Sequence, residues 1–297
     1  MMRPKFVFPG LVLMALVALL MWAGGCSDDR SVTTGITPGA EDDPGFLLAQ
    51  DHINNYLDSV NVTYEMALAK TYPVDNEPWL PDRSKYDNDS LVNPVVAKVH
   101  DSSNVYEEWY ANEWHMANFA FYYDDMVYSF YDSVQFQVDQ LSLSVAEGAD
   151  YLRYIRHWSY VSRNTDVTHT DLSGYFDFEF NGLDEEIATI NGNDNFMVTW
   201  NYISVDSTIE AVFAFEATVN DLNISKDAEE LWSCGCPVSG SLGLDLEISY
   251  TKNGGAFPEL TTSSWEISAE IEDGSATVTA ISGQNYWEYT YDMCTPE

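Results

Sequence analysis

Three cysteine residues near the end of the chain have the residue type and spacing to form a covalent or metal-binding site. Cys234 and Cys236 are separated by one glycine, and Cys294 lies far beyond them. If successive antiparallel strands fill the interval, Cys236 and Cys294 emerge at the same end of the sheet. A flat sheet would hold the two strands about 14 Å apart, whereas a disulfide needs Cα atoms within about 7 Å. Pairing of Cys294 with Cys234 or Cys236 therefore requires a curled sheet or another strand order.

A thiolate metal site is the alternative use of these cysteines. Structural zinc sites usually separate neighbouring cysteines by two or more residues, and here the separation is a single glycine. We therefore expect a disulfide rather than a metal ion.

The remaining chemistry-bearing residues form no catalytic motif. The sequence contains no HExxH pair, no GxSxG elbow, no GxxxxGK[ST] loop and no GxGxxG turn after a strand. Five histidines are scattered without paired spacing: His52, His100, His115, His157 and His169. With 48 acidic residues, many carboxylates will be close to one another by chance, so a pair of them does not specifically indicate a catalytic site. We predict no catalytic residue and no cofactor, with a hydrolytic enzyme that uses paired carboxylates as an alternative.

An aromatic block covers residues 109–131 and is followed by further aromatic residues in the second half of the chain. Such side chains stack on sugars or line an apolar pocket for an acyl chain, although they are also ordinary core residues. The candidate ligand-facing aromatic residues are Trp109, Trp114, Phe119, Phe178, Trp200 and Phe213.

The charge of the chain excludes one class of partner. Twelve basic residues face 48 acidic ones, which gives a formal net charge of −36. Nucleic-acid binding needs clustered Lys and Arg, so it is excluded. The basic cluster Arg153, Arg156 and Arg163 is small, and Arg153 and Arg156 would point to opposite faces of a strand. We expect these arginines to pair with carboxylates, and we regard divalent cations as possible partners of the acidic surface.

The first 26 residues predict where the protein is delivered. Arg3 and Lys5 precede an apolar run over residues 11–22, which is too short to cross the roughly 30 Å hydrocarbon layer of a bilayer with ease. Small residues then lead directly to Cys26, as in a secretory signal with its cleavage site. This ending resembles the lipobox of bacterial lipoproteins, although Ala23 stands where that motif prefers a larger aliphatic residue.

The resemblance implies that residues 1–25 are a signal peptide and that Cys26 is lipidated and becomes the first residue of the mature protein. An ordinary secreted protein cut near the same place is the alternative. The resemblance ends there, and the mature domain is matched to no family.

The elements that would position these residues follow from hydrophobic periodicity. Residues 26–45 predict a lipidated cysteine and a flexible tether, residues 46–70 an amphipathic helix, and residues 71–94 a proline-rich loop. Apolar and polar residues then alternate, as in the segments around Phe178, Leu244 and Ile267, and Asn-Gly or Asp-Gly pairs separate the runs. Tight turns are expected at Asn191-Gly192, Asn253-Gly254, Asp273-Gly274 and Gly283-Gln284.

The fold class is therefore mainly β: an antiparallel meander sheet, curled half-barrel or sandwich of about 8–10 strands with one N-terminal helix. The sheet should cover residues 105–293 within a single domain, 46–297, although residues 106–123 are also compatible with a helix.

We expect a lipoprotein of the bacterial cell envelope, at the outer membrane or cell surface rather than the cytoplasmic membrane. Its role would be non-catalytic binding or structure, with the membrane as a partner through the lipid and no protein partner identified. The alternative is a periplasmic carrier of lipids or other hydrophobic ligands, with an apolar cavity under the curled sheet.

Overall fold

The protein is an antiparallel meander sheet with one long helix packed on one face. The computed structural model describes residues 33–34, 44–68, 97–101, 104–123, 126–144, 146, 148–164, 168–203, 208–226, 237–253 and 259–294. The described strands form one open sheet.

The mainly β, antiparallel fold with an N-terminal helix is confirmed, and the sheet is wider than expected. In the described part of the chain it has 14 strands, two of which have only two and three residues. The bounds are α1 Pro44–Leu68, β1 Thr33–Thr34, β2 Ala97–Asp101, β3 Asn104–Ala111, β4 Trp114–Tyr123, β5 Met126–Val138, β6 Leu141–Leu143, β7 Tyr151–Asn164, β8 Thr168–Asn181, β9 Ile187–Ile203, β10 Thr208–Ser225, β11 Pro237–Asn253, β12 Glu259–Glu272, β13 Ser275–Ser282 and β14 Asn285–Asp292. Their spatial order is β1-β14-β13-β12-β11-β10-β9-β8-β7-β5-β4-β3-β2, with β6 paired to β5, so β1 and β2 are the edge strands among these residues.

Helix α1 begins at Pro44, where the missing amide proton of proline leaves no helical hydrogen bond unmade. Its buried stripe runs along the whole helix and includes Phe46, Ile53, Tyr56, Val60 and Tyr64. These side chains are almost completely removed from solvent, because the sheet covers them. The periodicity that predicted a helix over residues 46–70 is confirmed with a shift of two residues.

The sheet curves around α1. One side of the helix accepts hydrogen bonds from β14, where the hydroxyl of Tyr291 donates to Asp58 Oδ1 over 2.7 Å. Less than one turn away, the ring of Tyr56 stacks on Phe215 of β10 with centroids 6.1 Å apart. Strands β14 and β10 are four steps apart, about 19 Å in a flat sheet, whereas a helix with its side chains measures about 10–12 Å across. The sheet must therefore curl for one turn of α1 to contact both strands.

Alternation separates a concave face, which packs on α1, from a convex face exposed to solvent. In β8 the residues Phe176, Phe178 and Phe180 are buried, while Tyr175 and Asp177 lie on the other face. The same pattern holds in β11 and β12, as the sequence predicted for a sheet with one wet face.

Two sequence interpretations are wrong. Residues 106–123 form strands β3 and β4 around a turn at Asn112 and Glu113, and not a helix. Asn191-Gly192 is not a turn, because both residues lie inside β9. Gly192 has φ +155°, and a Cβ there would collide with the carbonyl oxygen of Asp177 and with Phe178. Glycine is therefore needed here because the neighbouring strand β8 lies too close for a side chain, and not because the chain reverses direction.

Other predictions fall partly outside the described residues. Asp273-Gly274 and Gly283-Gln284 are turns, as predicted, whereas Gly254 and the loop 71–94 are not described. Strand β1 lies within the segment predicted as a flexible tether and pairs with β14. Among the helical residues described, none forms a segment long and apolar enough to cross a bilayer.

Candidate functional site: an aromatic patch on the convex face

A cluster of aromatic and charged side chains lies on the convex face of strands β3 to β8. We call it the convex aromatic patch and define it by Trp109, Trp114, Tyr131, Arg153, His157, Tyr175 and Asp177. Alternation places these residues outward, because His115, Ala117, Leu152, Tyr154 and Phe176 beside them in the same strands are buried. Elsewhere the described convex positions of β9 to β12 carry mainly Asn, Thr, Ser, Asp and Glu.

One half of the patch is a pair of aromatic rings that share a methionine neighbour on the strand between them. The rings of Trp109 and Tyr131 lie 5.8 Å apart and are tilted by 52°. Trp109 is the direct cross-strand neighbour of Met116, whose sulfur accepts a hydrogen bond from the Tyr131 hydroxyl at 3.3 Å. Both rings are half-buried, so each is held in place and still offers surface to solvent.

The other half is organised by Arg153. Its Nε and Nη2 atoms donate to the two carboxylate oxygens of Asp177 over 2.9 and 2.7 Å. The guanidinium carbon lies 5.9 Å from the ring centroid of Trp114, in the range of a cation–π contact. Tyr175 donates its hydroxyl to Asp177 at 3.2 Å and packs its ring 4.6 Å from that of His157.

The electrostatics of this half follow from the same contacts. The hydrogen bond to Asp177 raises the pKa of Arg153, so the guanidinium is permanently charged. Burial, followed by the nearby Glu179 carboxylate, raises the pKa of Tyr151 to about 12 and keeps its hydroxyl protonated. This half of the patch therefore presents fixed hydrogen-bond donors and acceptors between aromatic rings.

The concave face contains a second, buried arginine. Arg156 donates from Nε and Nη2 to the two oxygens of Asp132, each over 2.6 Å, and the hydroxyl of Tyr154 donates to the same carboxylate at 2.9 Å. The guanidinium packs 4.5 Å from the ring centroid of Phe130. Arg153 and Arg156 thus point to opposite faces and pair with carboxylates, as predicted; the side chain of Arg163 is not described.

Further polar groups are enclosed between α1 and the sheet. Burial raises the pKa of Asp194 to about 7, although a hydrogen bond from Tyr56 opposes the shift. Burial lowers the pKa of His52 to about 4, and neither ring nitrogen has a hydrogen-bond partner among the described residues. His52 instead packs on Phe213 with ring centroids 4.3 Å apart. His52 on α1 and Asp194 on β9 are therefore polar residues of the helix–sheet interface.

The structure divides the predicted ligand-facing aromatic residues between the two faces. Trp109 and Trp114 belong to the convex aromatic patch. Phe178 is fully buried on the concave face, with its ring 5.3 Å from that of Tyr64, and Phe213 is partly buried there against His52. Trp200 occupies a concave-face position opposite Ala211, and the side chain of Phe119 is not described.

Sequence reasoning missed Tyr131, His157, Tyr175 and Asp177 as partners of the tryptophans. They come together only through the register of three strands, β5, β7 and β8, which places Tyr131 opposite His157 and His157 opposite Tyr175. The signal available in the sequence was the alternation of residues along each strand. In β7 and β8, His157, Tyr175 and Asp177 occupy the positions between the buried residues.

Of the four cysteines, the structure describes one. Cys294 is disulfide-bonded, while Cys234 and Cys236, like the predicted lipidation site Cys26, lie outside the described residues. Within the described ranges, no group of three or more His, Cys, Asp or Glu side chains is arranged to hold a metal ion.

Comparison of the chain with models of protein families, with curated proteins and with solved structures found no match.

Proposed function

We propose that this protein is a lipid-anchored protein of the bacterial cell envelope with a non-catalytic binding role, and that the convex aromatic patch is its binding surface. Signal-like residues before Cys26, and the resemblance of that segment to a lipobox, support the anchor. The patch supports the binding role, because it groups several half-exposed aromatic rings on a face whose described positions in β9 to β12 are mainly acidic, amide or hydroxyl side chains.

The ligand class that best suits the patch is a saccharide chain. Aromatic faces stack on the apolar C–H faces of sugar rings, while fixed carboxylate and guanidinium groups hydrogen-bond the hydroxyls at the ring edges. Asp177 and Arg153 hold each other in one geometry, so little side-chain freedom remains to be lost on binding. The net charge of −36 disfavours strongly anionic ligands. The single observation that carries this proposal is the adjacency of Trp109, Tyr131, Arg153 and Trp114 on a solvent-facing sheet.

The binding role is tested by titrating the full chain with neutral oligosaccharides, using tryptophan fluorescence and calorimetry. Loss of a stacking ring removes about 0.5–1.5 kcal/mol, so we expect Trp109→Ala and Trp114→Ala each to weaken binding about two- to twelvefold. Tyr286→Ala is the matched control, since Tyr286 is an exposed aromatic residue on β14 outside the patch. Equal losses for all three variants, or no binding by the parent chain, would contradict the proposal.

The anchor is tested separately with Cys26→Ser. We expect the parent chain expressed with its leader to fractionate with membranes and to yield a lipid-modified N-terminal peptide by mass spectrometry. The serine variant should lose both properties, because an acyl chain needs the thiol. Retention of the serine variant in the membrane fraction would refute the anchor.

A further inference from the structure

The two-residue strand β1 fixes where the anchor segment leaves the domain. Thr33 lies opposite Tyr291 and Thr34 opposite Thr290 in an antiparallel pair. The chain therefore enters β1 at the end of β14 that carries Asp292 and Cys294. Cys26 precedes Thr33 in the sequence, so a lipid on Cys26 would be on that side of the domain.

We infer that the pairing of β1 with β14 holds one end of the sheet against the bilayer. We call this end of the sheet the tether rim. It is defined by the turns at residues 139–141, 182–187 and 273–274 together with the end of β14 at Asp292. This inference rests on the proposed lipid anchor at Cys26, and its partner is the lipid surface that holds that anchor.

The length of free chain limits how far the rim can stand from the membrane. Six residues separate Cys26 from Thr33, and the seven steps from one to the other, at about 3.3–3.6 Å each, reach at most about 25 Å. As a flexible coil they would span only about 15 Å. Without the β1 pairing the free segment would extend to Pro44, and its fully extended reach would be about 60 Å.

The tether rim is level enough to face a plane. A continuous row of paired concave-face positions crosses the sheet through Asp132, Arg156, Phe176, Asp194, Ala217, Leu244, Ile267, Ala280 and Trp287. From this row, each strand reaches its end at the rim within five to eight residues. The strand ends at the rim therefore differ in height by about three residues, or roughly 10 Å.

The rim also carries apolar side chains that the fold leaves in water. Leu141 is 69% exposed, more than any other large hydrophobic residue described, and Ile187 is 47% exposed. Both lie at the same end of the sheet as the exit of the anchor segment, which is a feature of the fold independent of β1. Apolar residues at the headgroup boundary would regain burial there.

The charge of the tether rim determines which lipid headgroups it can approach. Asp139, Asp184, Glu185 and Asp273 are exposed at its turns, so an anionic bilayer would repel it and a zwitterionic one would not. We therefore expect close approach to zwitterionic lipid. In this orientation the convex aromatic patch faces sideways, near the membrane and open to ligand.

The test compares two sites at opposite ends of one hairpin. Glu272→Cys places a label at the tether rim and Gln284→Cys places one at the far turn, with β13 between them, so the sites are about 25–30 Å apart in height. Each lipidated full-length variant is labelled with a donor fluorophore and bound to phosphatidylcholine vesicles that carry a headgroup acceptor. The parent chain, treated identically, supplies the background from native cysteines. We expect clearly stronger energy transfer from position 272 than from position 284.

Breaking β1 should reduce this difference. Thr33→Pro with Thr34→Pro removes both amide donors of the strand, so the longer free segment would let the domain tumble. Ala40→Pro, outside β1, is the matched control and should leave the difference unchanged. Failure of the lipidated parent to bind vesicles would refute the anchor and the orientation together. Binding with equal transfer from the two sites, or with stronger transfer from position 284, would refute the orientation alone.

Discussion

The buried ion pair between Arg156 and Asp132 allows a quantitative test of how the sheet is held together. Their side chains are 10% and 1% exposed, and both guanidinium–carboxylate contacts are 2.6 Å. Replacing Asp132 by asparagine keeps the shape but leaves the guanidinium uncompensated among aromatic rings. Removal of one partner from such a pair costs about 3–5 kcal/mol, so we expect Asp132→Asn to lower the free energy of unfolding by that amount.

The double variant separates the value of the pair from the penalty of an unpaired charge. Asp132→Leu with Arg156→Met removes both charges and restores apolar volume, and such replacements are often neutral or stabilising. We therefore expect the double variant to be close to the parent chain in stability and well above Asp132→Asn. Tyr154→Phe, which deletes one hydrogen bond to the carboxylate, should cost about 1.5–3 kcal/mol.

Urea denaturation followed by far-UV circular dichroism measures these changes, with the slope of the transition checked for constancy. The convex face supplies the control, because Arg153 and Asp177 form the same two-bond contact at 35% and 19% exposure. There, Asp177→Asn should cost no more than about 1 kcal/mol. Equal losses for Asp132→Asn and Asp177→Asn, or a double variant as unstable as the two singles added together, would refute the reasoning.

Three further perturbations act on helix α1 and on other strands of the sheet. Burial depresses the pKa of His52 to about 4, so its unfavourable contribution grows as pH falls from 6.5 to 4; His52→Leu should stabilise the protein more at pH 4.5 than at pH 8 in thermal melts. The pKa of Asp194 is raised to about 7, so its contribution becomes unfavourable as pH rises from 4 to 7; Asp194→Asn should show the opposite pH dependence in the same melts. Asp245 lies directly opposite Glu216 on one neighbouring strand, so Asp245→Lys should stabilise by a few tenths of a kcal/mol at low salt and less at high salt, as measured by urea midpoints.

The periodic parts of the fold were predictable because burial of one face leaves a clear alternation. Phe176, Phe178 and Phe180 are buried as their spacing indicated, and α1 follows its apolar stripe. The block containing Trp109 and Trp114 was ambiguous, because aromatic residues occupy both faces of β3 and β4 and erase the difference between inside and outside. Local turn chemistry also failed at Gly192, where tertiary contact with Phe178 decides the role of the glycine.

The convex aromatic patch could be predicted only in part. The opposite orientations of Arg153 and Arg156 follow from strand parity alone, and both pairings with carboxylates were expected. The contact of Arg153 with Trp114 was not predictable, because β7 and β4 are separated in the sheet by β5. Such a contact depends on register across three strands, which no local pattern records.

The packing of α1 decides between the two binding modes that aromatic residues allow. An acyl ligand under the sheet would have to separate Tyr64 from Phe178 and displace side chains that the sheet already covers almost completely. Re-exposing each large apolar side chain costs about 1.5–3 kcal/mol, so opening even four of them would cost about as much as a typical domain's whole stability. A ligand on the convex face requires no such opening, because Trp109 and Trp114 already face solvent. Binding on the convex face would therefore require less rearrangement of the described core than binding beneath the sheet.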